Sequence, residues 1–383
     1  MSRVSVKREL LVWARERAGL DPVVLAARFP KLTDWEDGGQ QPTLRQLENF
    51  ARAVHAPIGY LFLEAPPQES LPIPDFRTLG ARGVARPSPN LLETIYLCQQ
   101  RQDWYRDYAR LHGVAPLAFI GSAHAQDDHV RVANMMRRTL ALSMAERKRL
   151  ATWTDALRQM ITNAEEIGVL VMASSIVASN SHRKLDVEEF RGFALSDDLA
   201  PLVFVNASDS KAVQMFTLAH ELAHLWLGQS GLSDPHMGHV NDHRIERWCN
   251  AVAAELLVPL ADLQREYEVD TQVPEEAQRL ARIFKVSTLV VLRRLFDAGF
   301  IDEERLWDSF HEELARIRPI DQGARGGGDF YRTLGARTGK RFARAVLSSA
   351  LEGQTLFRDA FRMLGVRKTS TFYEAARELG VML

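Results

Sequence analysis

What the chain has little of narrows the field first. Its 383 residues include only two cysteines, Cys98 and Cys249. Two thiols without metal-pair spacing make no disulfide scaffold, so the sequence reads as one suited to a reducing compartment, the cytoplasm. No stretch reaches the ~18 consecutive apolar residues that a membrane helix needs, and the opening residues Met1-Ser2-Arg3-Val4 lack the apolar region of a secretory signal. The expectation is a chain with no membrane partner that stays inside the cell. Formal net charge is only -1, so no global field draws it to nucleic acid and any basic surface has to be local. What is abundant is apolar content, 46% of residues, enough in a chain of this length for two or three globular domains.

One run concentrates chemistry. Phe216-Thr-Leu-Ala-His-Glu-Leu-Ala-His-Leu-Trp-Leu-Gly228 contains H-E-x-x-H at His220, Glu221 and His224. On a helix, residues four apart lie one turn apart on the same face, so two imidazoles reach one Zn²⁺ and Glu221 stands beside them as the base that activates a water. The five letters arise by chance in roughly one chain of this length in a hundred, so the setting has to decide. The setting is Phe216, Leu218, Ala219, Leu222, Ala223, Leu225, Trp226 and Leu227, a helix apolar nearly all round and therefore buried. Buried polar groups are costly unless bonded, and a metal satisfies all three at once. The plainer reading is a core helix whose histidines bond to carbonyls.

A zinc site needs at least one more protein ligand. The next strong helix, Arg244 to Leu257, puts Glu246 and Asn250 on one face, with Glu246 lying 22 residues beyond His224. That spacing suits a helix-loop-helix return. The rivals are His236, His239 and His243 in the intervening loop, and Glu255 further along.

The order of pieces resembles the ImmA/IrrE family of metallopeptidases: Glu189-Phe-Arg-Gly-Phe193, then Pro201-Leu-Val-Phe-Val-Asn206, then Phe216 to His224, then Glu246 to Pro259. The likeness is strong over residues 150 to 260. It implies a zinc endopeptidase with His220, His224 and Glu246 as ligands and Glu221 as general base. It also implies a protein substrate, such as a DNA-bound repressor of a prophage, mobile element or stress response. The loop histidines His236, His239 and His243 are the candidates for stabilising the transition state. Two other functions stay open: a DNA-binding regulator or antitoxin-like protein whose zinc is structural or sensory, and a hydrolase of small substrates.

The first 65 residues read as short helices. Apolar positions recur from Leu10 to Ala18, Gly19 ends that helix, and Asp21 caps a second one that starts at Pro22. Trp35, Glu36, Gly38, Pro42, Thr43, Gln46, Leu47, Ala51, Leu61 and Phe62 resemble the tail of an XRE-type helix-turn-helix. Between Ala26 and Trp35, however, about four residues are missing from the turn and reading helix of that motif. Such a domain implies DNA as a partner. Its trimmed form equally suits a protein-contact or homodimer surface.

Residues 66–90, with Pro66, Pro67, Pro72, Pro74, Pro87 and Pro89, read as an extended linker. Residues 91–320 form the expected zinc metallopeptidase domain, with core 150–260. Helical periods run over 91–112 and 126–167, and strands are expected at Gly168 to Met172, Phe190 to Leu195 and Leu202 to Val205. The edge of such a sheet is a natural seat for an extended peptide. A glycine-rich break at Gly323 to Gly328 opens a last helical domain, 321–383. From Arg325 onward it carries 11 basic residues against 5 acidic ones, and a faint second helix-turn-helix pattern at Arg358 to Gly365 and Thr369 to Leu379. The fold class expected is mainly α with a small β-sheet, an α+β zincin-like catalytic domain between helical N- and C-terminal domains.

Overall fold

The computed structural model describes residues 3–76, 86–233, 244–317 and 330–382. The loop histidines His236, His239 and His243 and the glycine run 323–328 lie outside the described residues. The chain is mainly α with a small mixed sheet, and it divides into two compact units. One holds the residues up to Pro72 together with a stretch that ends at Tyr96. The other holds the segment beginning at Ile73 and everything from Leu97 onward.

The first unit is built from helices Arg8–Arg17, Pro22–Arg28, Leu32–Glu36 and Leu44–Ala53 and a 3-10 turn, Ile58–Phe62. Asp21 caps the second helix through Val23 N, and Thr43 and Gln46 form a full capping box on the fourth. Leu10, Leu11, Trp13, Leu25, Phe29, Trp35, Leu47, Phe50 and Leu61 close the core. The helix Leu32–Glu36 is only five residues long. Leu32 and Trp35 are spent on the core, so its outward positions are Thr33 and Asp34.

In the second unit six strands appear: β1 Leu170–Ser174, β2 Ile176–Val177, β3 Asn180–Lys184, β4 Gly192–Leu195, β5 Leu202–Asn206 and β6 Gly231–Ser233. Four of them form one sheet in the order β1-β5-β4-β6, with β1 parallel to β5 and the other pairs antiparallel. The three strands expected from apolar runs are present, though β1 begins at Leu170 because Gly168, at φ +109°, turns the chain out of the preceding helix. The hairpin of β2 and β3 and the short β6 carry no apolar run and were not anticipated.

The helical stretch 126–167 is three helices, His129–Thr139, Met144–Arg149 and Trp153–Glu166. The breaks have local causes. Ala141 sits at φ +48°, and Ser143 and Thr152 each cap a new N-terminus with a side-chain oxygen.

The central helix, Lys211–Trp226, is buried at every position from Gln214 to Trp226. It packs on β4, β5 and helix Arg244–Leu257. Its last carbonyls need partners, and an irregular segment supplies two of them: Gly121 N–H donates to Leu225 O at 3.1 Å and Ala123 N–H to Trp226 O at 2.9 Å. That approach requires Gly228. The residue sits at φ +68°, and a Cβ there would lie 3.0 Å from Gly121 Cα.

The C-terminal helices Phe330–Thr338, Lys340–Leu351, Phe357–Leu364 and Thr369–Glu378 fall in the same compact unit as the sheet. The first two pack on β1. Arg341 donates to the Glu165 carbonyl at 3.0 Å, and the buried Arg101 donates to Met363 O at 2.9 Å.

Candidate metal centre

The helix Lys211–Trp226 presents His220 and His224 from successive turns, and helix Arg244–Leu257 brings Glu246 across to them. The two Nε2 atoms are 3.1 Å apart, His224 Nε2 is 2.9 Å from Glu246 Oε1, and His220 Nε2 is 3.2 Å from Glu246 Oε2. All three residues are fully buried, and among the described residues they form the one convergent cluster of metal-ligating groups. A tetrahedral zinc with bonds of about 2.0–2.1 Å sets its ligand atoms roughly 3.3 Å apart. The observed separations fit that figure.

Hydrogen bonding fits as well. His220 Nδ1–H donates to Asn250 Oδ1 at 2.9 Å, which leaves the Nε2 lone pair facing the cluster. Among the described residues the oxygens of Glu246 face only the two imidazoles, and the nearby Ser233 hydroxyl is the one group acting to stabilise a charge on Glu221, although all four oxygens are sealed from solvent. Buried carboxylates are costly without compensating charge, and a cation at the point of convergence would supply it to Glu246.

Glu221 lies on the same helix and is fully buried. Burial pushes its carboxyl well above the ordinary range, the charge of Glu246 pushes it further, and the nearby Ser233 hydroxyl offsets part of this. Glu246 behaves in the opposite sense. Burial would raise it, but the two imidazoles outweigh burial and hold it at about 2. For His224 burial lowers the pKa and the neighbouring Glu246 only partly restores it. The site therefore pairs one carboxyl held low with one pushed high.

The sheet packs directly against this helix. Gly192 on β4 makes a close approach: a Cβ there would lie 2.6 Å from Thr217 Cγ2, 2.9 Å from Phe204 O and 3.0 Å from Glu221 Oε1. On the edge strand β6, Ser233 Oγ lies 3.3 Å from His224 Nε2. The ring of Phe76 stacks on the His224 imidazole with centroids 5.6 Å apart and planes within 9°.

The sequence motif thus brings His220, Glu221, His224 and Glu246 together. The rival Glu255 is elsewhere, ion-paired with the buried Arg294 and accepting from Leu260 N at 3.3 Å. Cys249, next to Asn250, is a buried thiol raised well above its usual range by burial and by the charges of Glu246 and Glu221. Asn250 was legible as the residue one turn beyond Glu246. Ser233, Phe76 and Gly192 were missed as parts of the site. Only Gly192 had a signal, its place in the Glu189 to Phe193 motif.

Residues 156–296 match a peptidase family model described as an IrrE N-terminal-like domain. The matched stretch contains all six strands, both histidines, Glu221 and Glu246. It supports the likeness to ImmA/IrrE proteins and a metallopeptidase-type role, for which a protein is the substrate class. Residues 338–378, the last three helices, match a domain of unknown function (DUF8813). No curated protein matches the chain. No helix among the described residues is long and apolar enough to cross a membrane.

Proposed function

We propose that this chain is a zinc-dependent endopeptidase with a regulatory role, cutting a transcriptional repressor or other regulatory protein. His220, His224 and Glu246 hold the metal, and Glu221 is the general base. The observation that carries this reading is the convergence of two imidazoles and a carboxylate at 2.9–3.2 Å, with a second, fully buried carboxyl on the helix that carries the imidazoles. Bound zinc supplies Lewis-acid polarisation of the scissile carbonyl and an acidified water.

The chain's own residues do the rest. Glu221 takes the proton as the water attacks the carbonyl carbon and returns it to the leaving amine nitrogen. Burial, which raises its pKa, favours the protonated form that the second transfer needs. Asn250 fixes the His220 ring in the tautomer that offers Nε2 to the metal. The repressor-like substrate follows from the family likeness alone.

The test is co-expression with the products of neighbouring genes, comparing wild type with Glu221→Gln. A regulatory protein that disappears only with wild type supports the reading, and equal loss with both sinks it. Elemental analysis should give one zinc per chain for wild type and none for His220→Ala.

One observation favours a second reading, a DNA-binding regulator with a structural or sensory zinc: all four site residues are fully buried, as in closed structural sites. Normal promoter regulation and footprinting by Glu221→Gln would select that reading.

A further inference from the structure

A piece of this chain lies along the strand edge beside the site. β6 is the edge of the four-stranded sheet, and its partner β4 pairs with it at Gly192 with Ser233 and at Ala194 with Gly231. In an antiparallel pair the residue between such positions turns its N–H and C=O away from the partner. That residue is Leu232. Its N–H donates to Pro74 O and its C=O accepts from Phe76 N–H, both at 2.9 Å, so that Asp75 bridges Leu232 in parallel. Residues 73–76 belong to the same compact unit as the site.

Three further observations place this segment at the chemistry and not merely at an edge. The next residue of β6, Ser233, lies beside His224. The Phe76 ring covers the His224 imidazole face to face. The ring also fills a notch that exists only because residue 231 is glycine: a Cβ there would lie 2.3 Å from Phe76 Cε2 and 2.4 Å from Cδ2. The segment is suited to its place. Pro72 and Pro74 fix their own φ angles and bias the residues before them to extended backbone, and Pro74 contributes only an acceptor to the ladder.

We propose that residues 73–76 are an intramolecular strap that occupies the peptide-docking edge of β6. Phe76 stands where an aromatic side chain of a substrate lies, and the enzyme stays closed until an extended peptide displaces the strap. This rests on the peptidase reading above. Displacement exchanges two main-chain hydrogen bonds and one ring contact for the same bonds made by the incoming chain, so a longer peptide that pairs beyond Leu232 wins the competition. The substrate class that follows is an unfolded or extended segment carrying an aromatic residue.

The experiment uses the full zinc-loaded chain as wild type, Phe76→Ala and Gly231→Ala. The second variant expels the ring without altering the strap. Two readouts are taken: amide hydrogen exchange at Leu232, and cleavage of denatured casein with zinc content measured in parallel. Exchange at Leu232 is expected to rise at least tenfold in both variants, and casein cleavage severalfold in Phe76→Ala but not in Gly231→Ala, whose methyl group fills the notch against a substrate ring too, all at unchanged zinc. The synthetic hexapeptide Leu-Pro-Ile-Pro-Asp-Phe, which repeats residues 71–76, should restore protection at Leu232 and inhibit cleavage in Phe76→Ala but not in Gly231→Ala.

Unchanged exchange in both variants overturns the strap, as does raised exchange with unchanged cleavage for Phe76→Ala in an active enzyme. If no form cleaves any protein, yet Leu232 opens in both variants and the hexapeptide closes it in Phe76→Ala, the strap stands and the peptidase reading falls.

Discussion

Asn250 Oδ1 lies 2.9 Å from His220 Nδ1, one helical turn from the carboxylate that faces the same histidine. Glu246 and Asn250 thus act from one face of one helix, the first on the Nε2 side of the imidazole and the second on its Nδ1 side. Loss of such a partner typically weakens zinc binding by roughly 10–100-fold. Asn250→Ala should do so, measured by competition with a chromogenic chelator, while leaving the helix content unchanged. Asn250→Asp, which keeps an acceptor at the same place, should recover most of the affinity. Equal affinities for all three proteins would show that the imidazole is held by packing alone.

Gly192 should tolerate no side chain. The methyl group of Gly192→Ala would have to be accommodated against Thr217, against the carbonyl of Phe204 on the neighbouring strand and against Glu221 itself. A backbone carbonyl cannot swing aside, so β4 must shift against both its neighbouring strand β5 and the central helix. Overpacking of this kind costs about 1–3 kcal/mol. The expected result is a lowered urea midpoint together with reduced cleavage at saturating zinc. Wild-type stability and rate would mean that the two layers have slack which the contact distances deny.

How much of this was legible in the sequence depends on the range of the interaction. His220, Glu221 and His224 share one helix, so a spacing of four was enough to align them, and the apolar residues around them announced their burial. Glu246 needed the second helix to return to the first, which the family likeness implied and the helix face made plausible. The choice against Glu255 could not be made from periodicity. Its fate was decided by Arg294, 39 residues away, on a helix whose packing no local pattern encodes. Phe76 and Ser233 were invisible for the same reason: each reaches His224 through the register of an edge strand only three residues long. The break of residues 126–167 into three helices was missed because its punctuation is polar capping by Ser143 and Thr152 within a continuous apolar period.

Arg147 offers a test of the packing behind the metal centre. It is buried, and its guanidinium donates to Leu257 O, at the end of the Glu246 helix, and to Phe284 O, at 2.8 Å from Nε, at the end of helix Val273–Phe284. Burial lowers its pKa to about 9, and the neighbouring Arg137 acts in the same direction. Arg147→Met keeps the volume and leaves two buried carbonyls without donors, at a cost of about 2 kcal/mol. Chemical denaturation should show that loss with the zinc stoichiometry retained. A methionine variant as stable as wild type would mean that the desolvation of the charge had cancelled the bonds it makes.

The opposite pKa shifts of Glu221 and Glu246 make metal binding and stability depend on pH in a definite direction. In the metal-free protein Glu246 is already ionised, held at about 2 by the imidazoles against its own burial. His224, lowered first by burial, is already neutral at neutral pH. Glu221, raised by burial and by Glu246, holds its proton above the usual carboxyl range. A dication at the cluster favours the carboxylate, so binding should expel the Glu221 proton and zinc affinity should rise with pH across that window. Titration calorimetry in buffers of different ionisation enthalpy would detect the proton, and Glu221→Gln should abolish its release.

Stability of the metal-free protein follows the same sign. Below the ordinary carboxyl pKa the group is protonated in both folded and unfolded chains and costs nothing. Above it the folded chain binds more protons than the unfolded one, so stability falls as pH rises toward the elevated folded value. Glu221→Gln should therefore raise the metal-free melting temperature more at pH 8 than at pH 4. A difference that stays constant across that range would show that the buried carboxyl does not titrate there.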